Sequence, residues 1–133
     1  MKEMILLFHL PDKPTRRKVE MALFPLKARV KYITLADYNQ PRGVLAGNSE
    51  IAPAAGNYAG EELSETLFVF SAFSSARLDQ VLAALRKSGA GPFPYKAILT
   101  PTNQYWTAPQ CLDEIKKEHE AVKAMQKKDG DIS

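Results

Sequence analysis

Thr100, Thr102 and Asn103 put two hydroxyls and a carboxamide close together, in the run Leu99-Thr100-Pro101-Thr102-Asn103-Gln104-Tyr105-Trp106-Thr107. The run joins a β-like segment to an amphipathic helix. In α/β proteins, loops that leave strand ends carry binding and catalytic groups. Hydroxyls, an amide and free backbone N–H groups beside a helix N-terminus suit a phosphate or a carboxylate. The competing reading is that these side chains hold the turn and cap the helix. His9 closes the first apolar run, where a titrating imidazole could act as a base or touch an anion. Asn39-Gln40 recurs as Asn103-Gln104 and marks an equivalent turn. His9, Asn39, Gln40, Thr100, Thr102 and Asn103 are therefore the candidate ligand-binding residues.

Other chemistry finds little support. Two histidines without matching carboxylate spacing make no metal site, and no cofactor is expected. Cys111 lacks a Cys-His-Asn setting and reads as a small apolar helix residue, although a helix N-terminus lowers thiol pKa values. His119, between Glu118 and Glu120, reads as a surface or packing residue. There is no phosphate-cradling Gly-rich loop, nucleophile elbow, zinc spacing or EF-hand.

The elements that must position these residues come as two similar units. Ile5 to Leu10 is a short apolar run suited to a buried strand. Asp12 caps a helix with Pro14 in its first turn and Val19, Ala22, Leu23 and Leu26 as its apolar stripe; Pro25 ends it. Val30 to Leu35 alternates like a half-exposed strand. Thr66 to Ser71, a helix capped by Ser74 or Ser75 with Leu78, Val81, Leu82 and Leu85 inward, and Tyr95 to Thr100 repeat the order. A shift of 62 lays Phe8 on Phe70, Val19 on Val81 and Leu23 on Leu85; a shift of 65 lays Lys31 on Lys96 and Ile33 on Ile98. Each unit ends in a further helix, short at Gln40 to Ala46 and long from Ala108 to about Met125. Thr107 and Gln110 fit a capping box, and Trp106 with Cys111 a hydrophobic staple, so Trp106 is expected to be buried. Leu112, Ile115, Val122 and Met125 form the expected stripe.

The fold class is α/β: one domain over residues 1–126, built of units 1–47 and 64–126. A surface loop, 48–63, joins them, and a tail, 127–133, is expected to fray. The two apolar strands belong in the centre of a four-stranded sheet and the alternating ones at its edges. The ferredoxin-like order 4-1-3-2 is favoured, with the all-parallel order 2-1-3-4 as the alternative.

The chain has 133 residues, 45% apolar and 25% charged, as in an ordinary water-soluble domain. No run approaches a membrane span, no signal peptide is evident, and one cysteine permits no internal disulfide, so a cytoplasmic setting is expected. The net charge of +3 is uneven: residues 1–47 hold nine Lys and Arg against four Asp and Glu. That basic half would attract anions, nucleic acid or an acidic partner, unless it is a solvated helix face.

The second half resembles an uncharacterised bacterial family, domain of unknown function 3783. The resemblance lies in Phe68-Val69-Phe70-Ser71-Ala72-Phe73, in Lys96 to Asn103 with Trp106, and in Leu112 and Glu118-His119. The first half is similar to the segment that precedes it, through Asn39 to Gly43 and Leu45 to Gly47. Ala72 stands where the family would carry Gly, and Arg42 where it would carry an apolar residue. The resemblance brings no catalytic assignment.

Three functions compete. The favoured one is a non-catalytic regulatory or interaction module that binds a small anionic ligand or a protein partner, with a homodimer through a sheet edge as one form of partnership. The second is a small enzyme using His9 with Asn103 or Asp37. The third is nucleic-acid binding through Arg16, Arg17, Lys18, Lys27, Arg29 and Lys31. The third ranks last, because Leu67 to Phe70 lacks the basic-Gly-aromatic pattern of an RNA-recognition strand.

Overall fold

The computed structural model describes residues 3–132, with side chains described through Met125. The first unit comprises β1 (Met4–Phe8), α1 (Lys13–Leu23), β2 (Val30–Ile33) and the one-turn helix α2 (Arg42–Leu45). The second comprises β3 (Leu67–Ser71), α3 (Ser75–Lys87), β4 (Lys96–Ile98) and α4 (Ala108–Ile132). Side chains of α4 beyond Met125 lie outside the described residues, and so do any contacts of the expected tail.

The four strands form one mixed sheet in the order β2-β1-β3-β4. β1 and β2 run parallel, β3 and β4 run parallel, and β1 and β3 pair antiparallel with Leu6 opposite Val69. The α/β class holds, with the apolar strands central and the alternating strands at the edges. The favoured order 4-1-3-2 does not: β2 lies beside β1, not beside β3. The all-parallel alternative has the right order and the wrong direction for the central pair. The crossovers explain this. Only Lys27, Ala28 and Arg29 separate the last turn of the first helical segment from β2. So short a return drops the chain at the vacant edge beside the strand it left. A pseudo-two-fold relation between the units then requires β1 and β3 to run in opposite directions.

Both faces of the central strands are apolar, so both need cover. On one face α1 and α3 pack Val19, Leu23, Val81 and Leu85 against Ile5, Leu7, Phe68 and Phe70. On the other, Tyr38, Leu45, Ala46, Leu63, Ala108, Cys111 and Leu112 cover Leu6, Phe8, Leu67 and Val69. The loop between the units takes part in this second layer: Ile51 and Leu63 are buried. Among the described residues, no helix is long and apolar enough to cross a membrane.

Local signals account for the helix starts. Asp12 Oδ2 accepts the Thr15 amide at 3.0 Å and Ser74 Oγ accepts the Arg77 amide at 3.2 Å. α4 starts after Thr107, whose carbonyl accepts the Cys111 amide, while Gln110 Oε1 accepts the Thr107 amide at 3.0 Å. That is one arm of the capping box; the Thr107 hydroxyl also turns to Gln110 Oε1 instead of taking a helix amide. Trp106 is only half-buried, because the two turns it joins are tied by backbone bonds and not by its ring. Val122 and Met125 are 51% and 67% exposed, since α4 runs on past the area that the sheet offers.

Each central strand ends on a residue with left-handed backbone: His9 at φ 58° after β1, and Ala72 at φ 63° after β3. The two positions are near-equivalent in the repeat. This explains why a Gly was expected at Ala72, and it gives His9 a backbone role, since His tolerates this region better than most residues do.

Candidate functional site

The polar turn after β4 is closed upon itself. Asn103 Oδ1 accepts the Thr100 amide at 2.7 Å, its Nδ2 donates to the Ile98 carbonyl at 3.0 Å, and its backbone amide donates to Thr100 Oγ1 at 3.0 Å. Thr100 and Thr102 are exposed. The carboxamide that the sequence offered to a ligand thus spends both ends on the chain's own backbone. Gln40 does the same for the loop between the units, while Asn39 spends only its Nδ2 there and leaves its buried Oδ1 without a partner among the described residues. Gln40 brackets Ala54 with Oε1 on its amide at 2.9 Å and Nε2 on its carbonyl at 3.0 Å. Asn39 Nδ2 donates to the carbonyls of Ala55 and Gly56.

His9 is not brought to Asn103. Ile98 lies in the row of Phe70 and Ile5, and His9 follows four positions beyond Ile5, about 13 Å along the strand direction. His9 instead sits 3.6 Å from Glu62, near the Tyr38 hydroxyl, and its carbonyl accepts the Thr66 hydroxyl at 2.7 Å. Burial raises the Tyr38 pKa, and the Glu62 carboxylate raises it further. Asp37 is exposed and gives its carbonyl to the Gln40 amide. His119 stacks on Tyr95 at 5.3 Å between ring centres. Among the described residues, no group of three or more His, Cys, Asp or Glu side chains is placed to hold a metal ion.

What the structure does bring together is α2 and the start of α4. Arg42 is fully buried. Its amide donates to the Trp106 carbonyl, one guanidinium nitrogen donates to the Asn103 carbonyl at 2.8 Å, and another lies 2.8 Å from Cys111 Sγ. No carboxylate faces it among the described residues, and its Nε has no partner there. Burial lowers the Arg42 pKa, and the neighbouring Cys111 opposes that shift. Burial raises the Cys111 pKa, and the guanidinium opposes that in turn. Gly43 follows because nothing larger fits: a Cβ there would lie 2.6 Å from Ile51 Cδ1 and 3.1 Å from Gln104 Cβ. Arg42 joins the units, and sequence reasoning passed over it. The signal was present, an Arg where the family that the chain resembles would carry an apolar residue.

Among the described residues, two hollows stand open to a ligand. One, of about 250 Å³, is lined by Trp106, Gln110, Asp113, Glu114 and Lys117. Its two acids make it a poor host for an anion. The other, of about 360 Å³, lies where the end of α3 meets the connection into β4; Leu82, Leu85, Arg86, Gly91, Pro92, Phe93 and Lys96 line it. Leu85 is buried, and the Phe93 ring packs on Phe68 with centres 4.8 Å apart. Arg86 and Lys96 are exposed, and neither pairs with an acid among the described residues. Lys96 Nζ donates to the Phe93 carbonyl, which leaves two of its three protons free.

Residues 66–122 match the family model Domain of unknown function (DUF3783). The matched span begins at the threshold of β3 and ends within α4, so it coincides with the second unit. Comparison with curated proteins and with solved structures returned no match.

Proposed function

We propose that this chain is a non-catalytic module that binds a small anionic ligand, and that the ligand sits in the 360 Å³ hollow between α3 and β4. One observation carries the reading. Two cations, without acidic partners among the described residues, stand at the rim of a hollow whose floor is apolar and firmly packed. Its volume falls in the range of small-molecule sites. The strand-end residues His9, Asn39, Gln40, Thr100, Thr102 and Asn103 do not line this hollow. Thr100 and Asn103 close the turn that follows β4, and Asn39 and Gln40 hold the loop between the units. A cytoplasmic setting belongs to the same reading; the single cysteine, Cys111, is free and buried.

A thermal-shift screen of anionic metabolites tests it. A ligand at a hundred times its Kd adds about 2.7 kcal/mol to the native state and raises the Tm by several degrees. The Arg86→Gln/Lys96→Gln double variant keeps the fold and loses the rise. If no anion raises the Tm, or if the double variant responds like the wild type, the reading is wrong.

A further inference from the structure

We infer that the ligand is an amphipathic monocarboxylate, an apolar chain or ring with one acid head, and not a phosphate ester, nucleotide or dicarboxylate. This rests on the reading above and adds the chemical class of the ligand. The geometry supplies a direction. Leu85 and Phe93 make the floor, Leu82 and Pro92 the sides, and both cations stand at the exposed rim. A tail would replace water on the apolar floor while the head stays beside Arg86 and Lys96. A molecule polar at both ends would bury one polar end on Leu85 and Phe93 without a partner.

The helix end adds a limit on backbone donors. Leu82, Leu85 and Arg86 belong to the last two turns of α3, which ends at Lys87. The end of a helix carries about half a negative charge, and that repels anions. Arg86 and Lys96, two full positive charges, outweigh it. A phosphate would feel the two cations as strongly, but it presents three oxygens that need several N–H donors, and none of the lining residues belongs to a helix N-terminus that would supply them.

The repeat indicates that the hollow is an elaboration of the second unit. Leu23 falls on Leu85 at a shift of 62, but Lys31 falls on Lys96 only at a shift of 65. The added length therefore falls in the connection from α3 to β4, which forms one wall of the hollow. Ser88 to Tyr95 lie between α3 and β4, against Phe24 to Arg29, a 3-10 turn over Phe24–Leu26 included, between α1 and β2. The connection is anchored at both ends. Ser88 Oγ donates to the Leu85 carbonyl and accepts the Ala90 amide, and the Tyr95 carbonyl accepts the Phe68 amide. At the position of Arg86 the first unit carries Phe24, so the cation is specific to the elaborated unit.

The test is a titration of the full chain with butanoate, hexanoate and octanoate, with the matching alcohols, inorganic phosphate and succinate as comparisons. Affinity should rise about fourfold per added methylene until the floor is covered. The alcohols should bind at least tenfold more weakly than the acids, and Arg86→Gln/Lys96→Gln should erase that difference. Leu82→Asn, a change at a partly buried position packed on the core and so made in protein shown to be folded by circular dichroism, should flatten the chain-length dependence. A flat dependence together with saturable phosphate or succinate binding overturns the monocarboxylate assignment and leaves the anion site standing. A steep dependence shared by the alcohols, or one that persists in Leu82→Asn, overturns the assignment because charge or location is then wrong. Binding of none of these probes overturns both readings.

Discussion

Replacing Arg42 by Met should leave the protein about as stable as the wild type, whereas Arg42→Ala should cost about 2–4 kcal/mol. The reasoning starts from what the guanidinium gains and what it gives up. Its clearest bond goes to the Asn103 carbonyl, and a hydrogen bond from a charged group contributes about 1.5–3 kcal/mol. The Asn103 carbonyl also accepts the Trp106 amide at 3.0 Å, so it is not orphaned when Arg42 goes. The bond to Cys111 Sγ is to a weak acceptor. Against these stands the cost of holding a cation away from water with no carboxylate in reach, several kcal/mol even after relaxation. Met keeps most of the side chain's bulk and removes that cost, so the two terms cancel to within about 1 kcal/mol. Ala removes the cost too, but leaves a void between the units, and large-to-small changes in a core cost about 2–5 kcal/mol. Chemical denaturation with unchanged m-values measures both variants. A loss above about 3 kcal/mol in Arg42→Met would show that the cation is the clamp itself. A second readout comes from Cys111. The guanidinium is the influence that lowers this thiol's pKa, so either substitution should raise the pH at which thiolate absorbance appears.

Ala72→Gly should stabilise the protein by about 1 kcal/mol in thermal or chemical unfolding, because Ala72 holds a left-handed backbone at φ 63°. Gln110→Ala should cost about 1 kcal/mol and Thr107→Val distinctly less, because Gln110 satisfies the Thr107 amide while the Thr107 hydroxyl satisfies no helix amide; equal losses would refute this. Stability should fall from about pH 10 upward. Burial and the bond to Glu20 push Tyr32 up to about 12, and Tyr38 is raised as well, so the unfolded chain releases these protons first. Tyr32→Phe should make the alkaline loss in a pH series of denaturation curves shallower.

Much of the fold was legible because it depends on local rules. Asp12, Ser74 and the Thr107–Gln110 pair announce their helices, and the unbroken apolar runs around Leu6 and Val69 announce buried central strands. The strand order was not, since adjacency depends on how short a crossover is in space, and periodicity does not record that. The polar turn at Thr100 to Asn103 was located correctly as a special place. Its meaning was not legible, because a carboxamide that binds a ligand and one that binds its own backbone have the same sequence. The hollow between α3 and β4 left a trace in the drift of the repeat between Leu85 and Lys96, but only coordinates show that the added length encloses space. Arg42 was visible as an oddity, and its burial depends on two units meeting across a long separation in sequence.

The antiparallel ladder between β1 and β3 bears on ancestry and assembly. Among the described residues it is the only strand pairing between the two units, and it has the direction that a two-fold axis normal to the sheet demands. The span that matches the family model holds just β3 and β4, a two-strand ribbon whose apolar β3 would be left as a bare edge. A polypeptide made of such a unit alone would complete its sheet by pairing its β3 with that of a twin, as an obligate homodimer. In this chain the covalent loop, 48–63, holds the two units together without any such association. Joined in one chain, the halves need not be identical: the first has a short return into β2, and the second a longer connection into β4 beside the hollow.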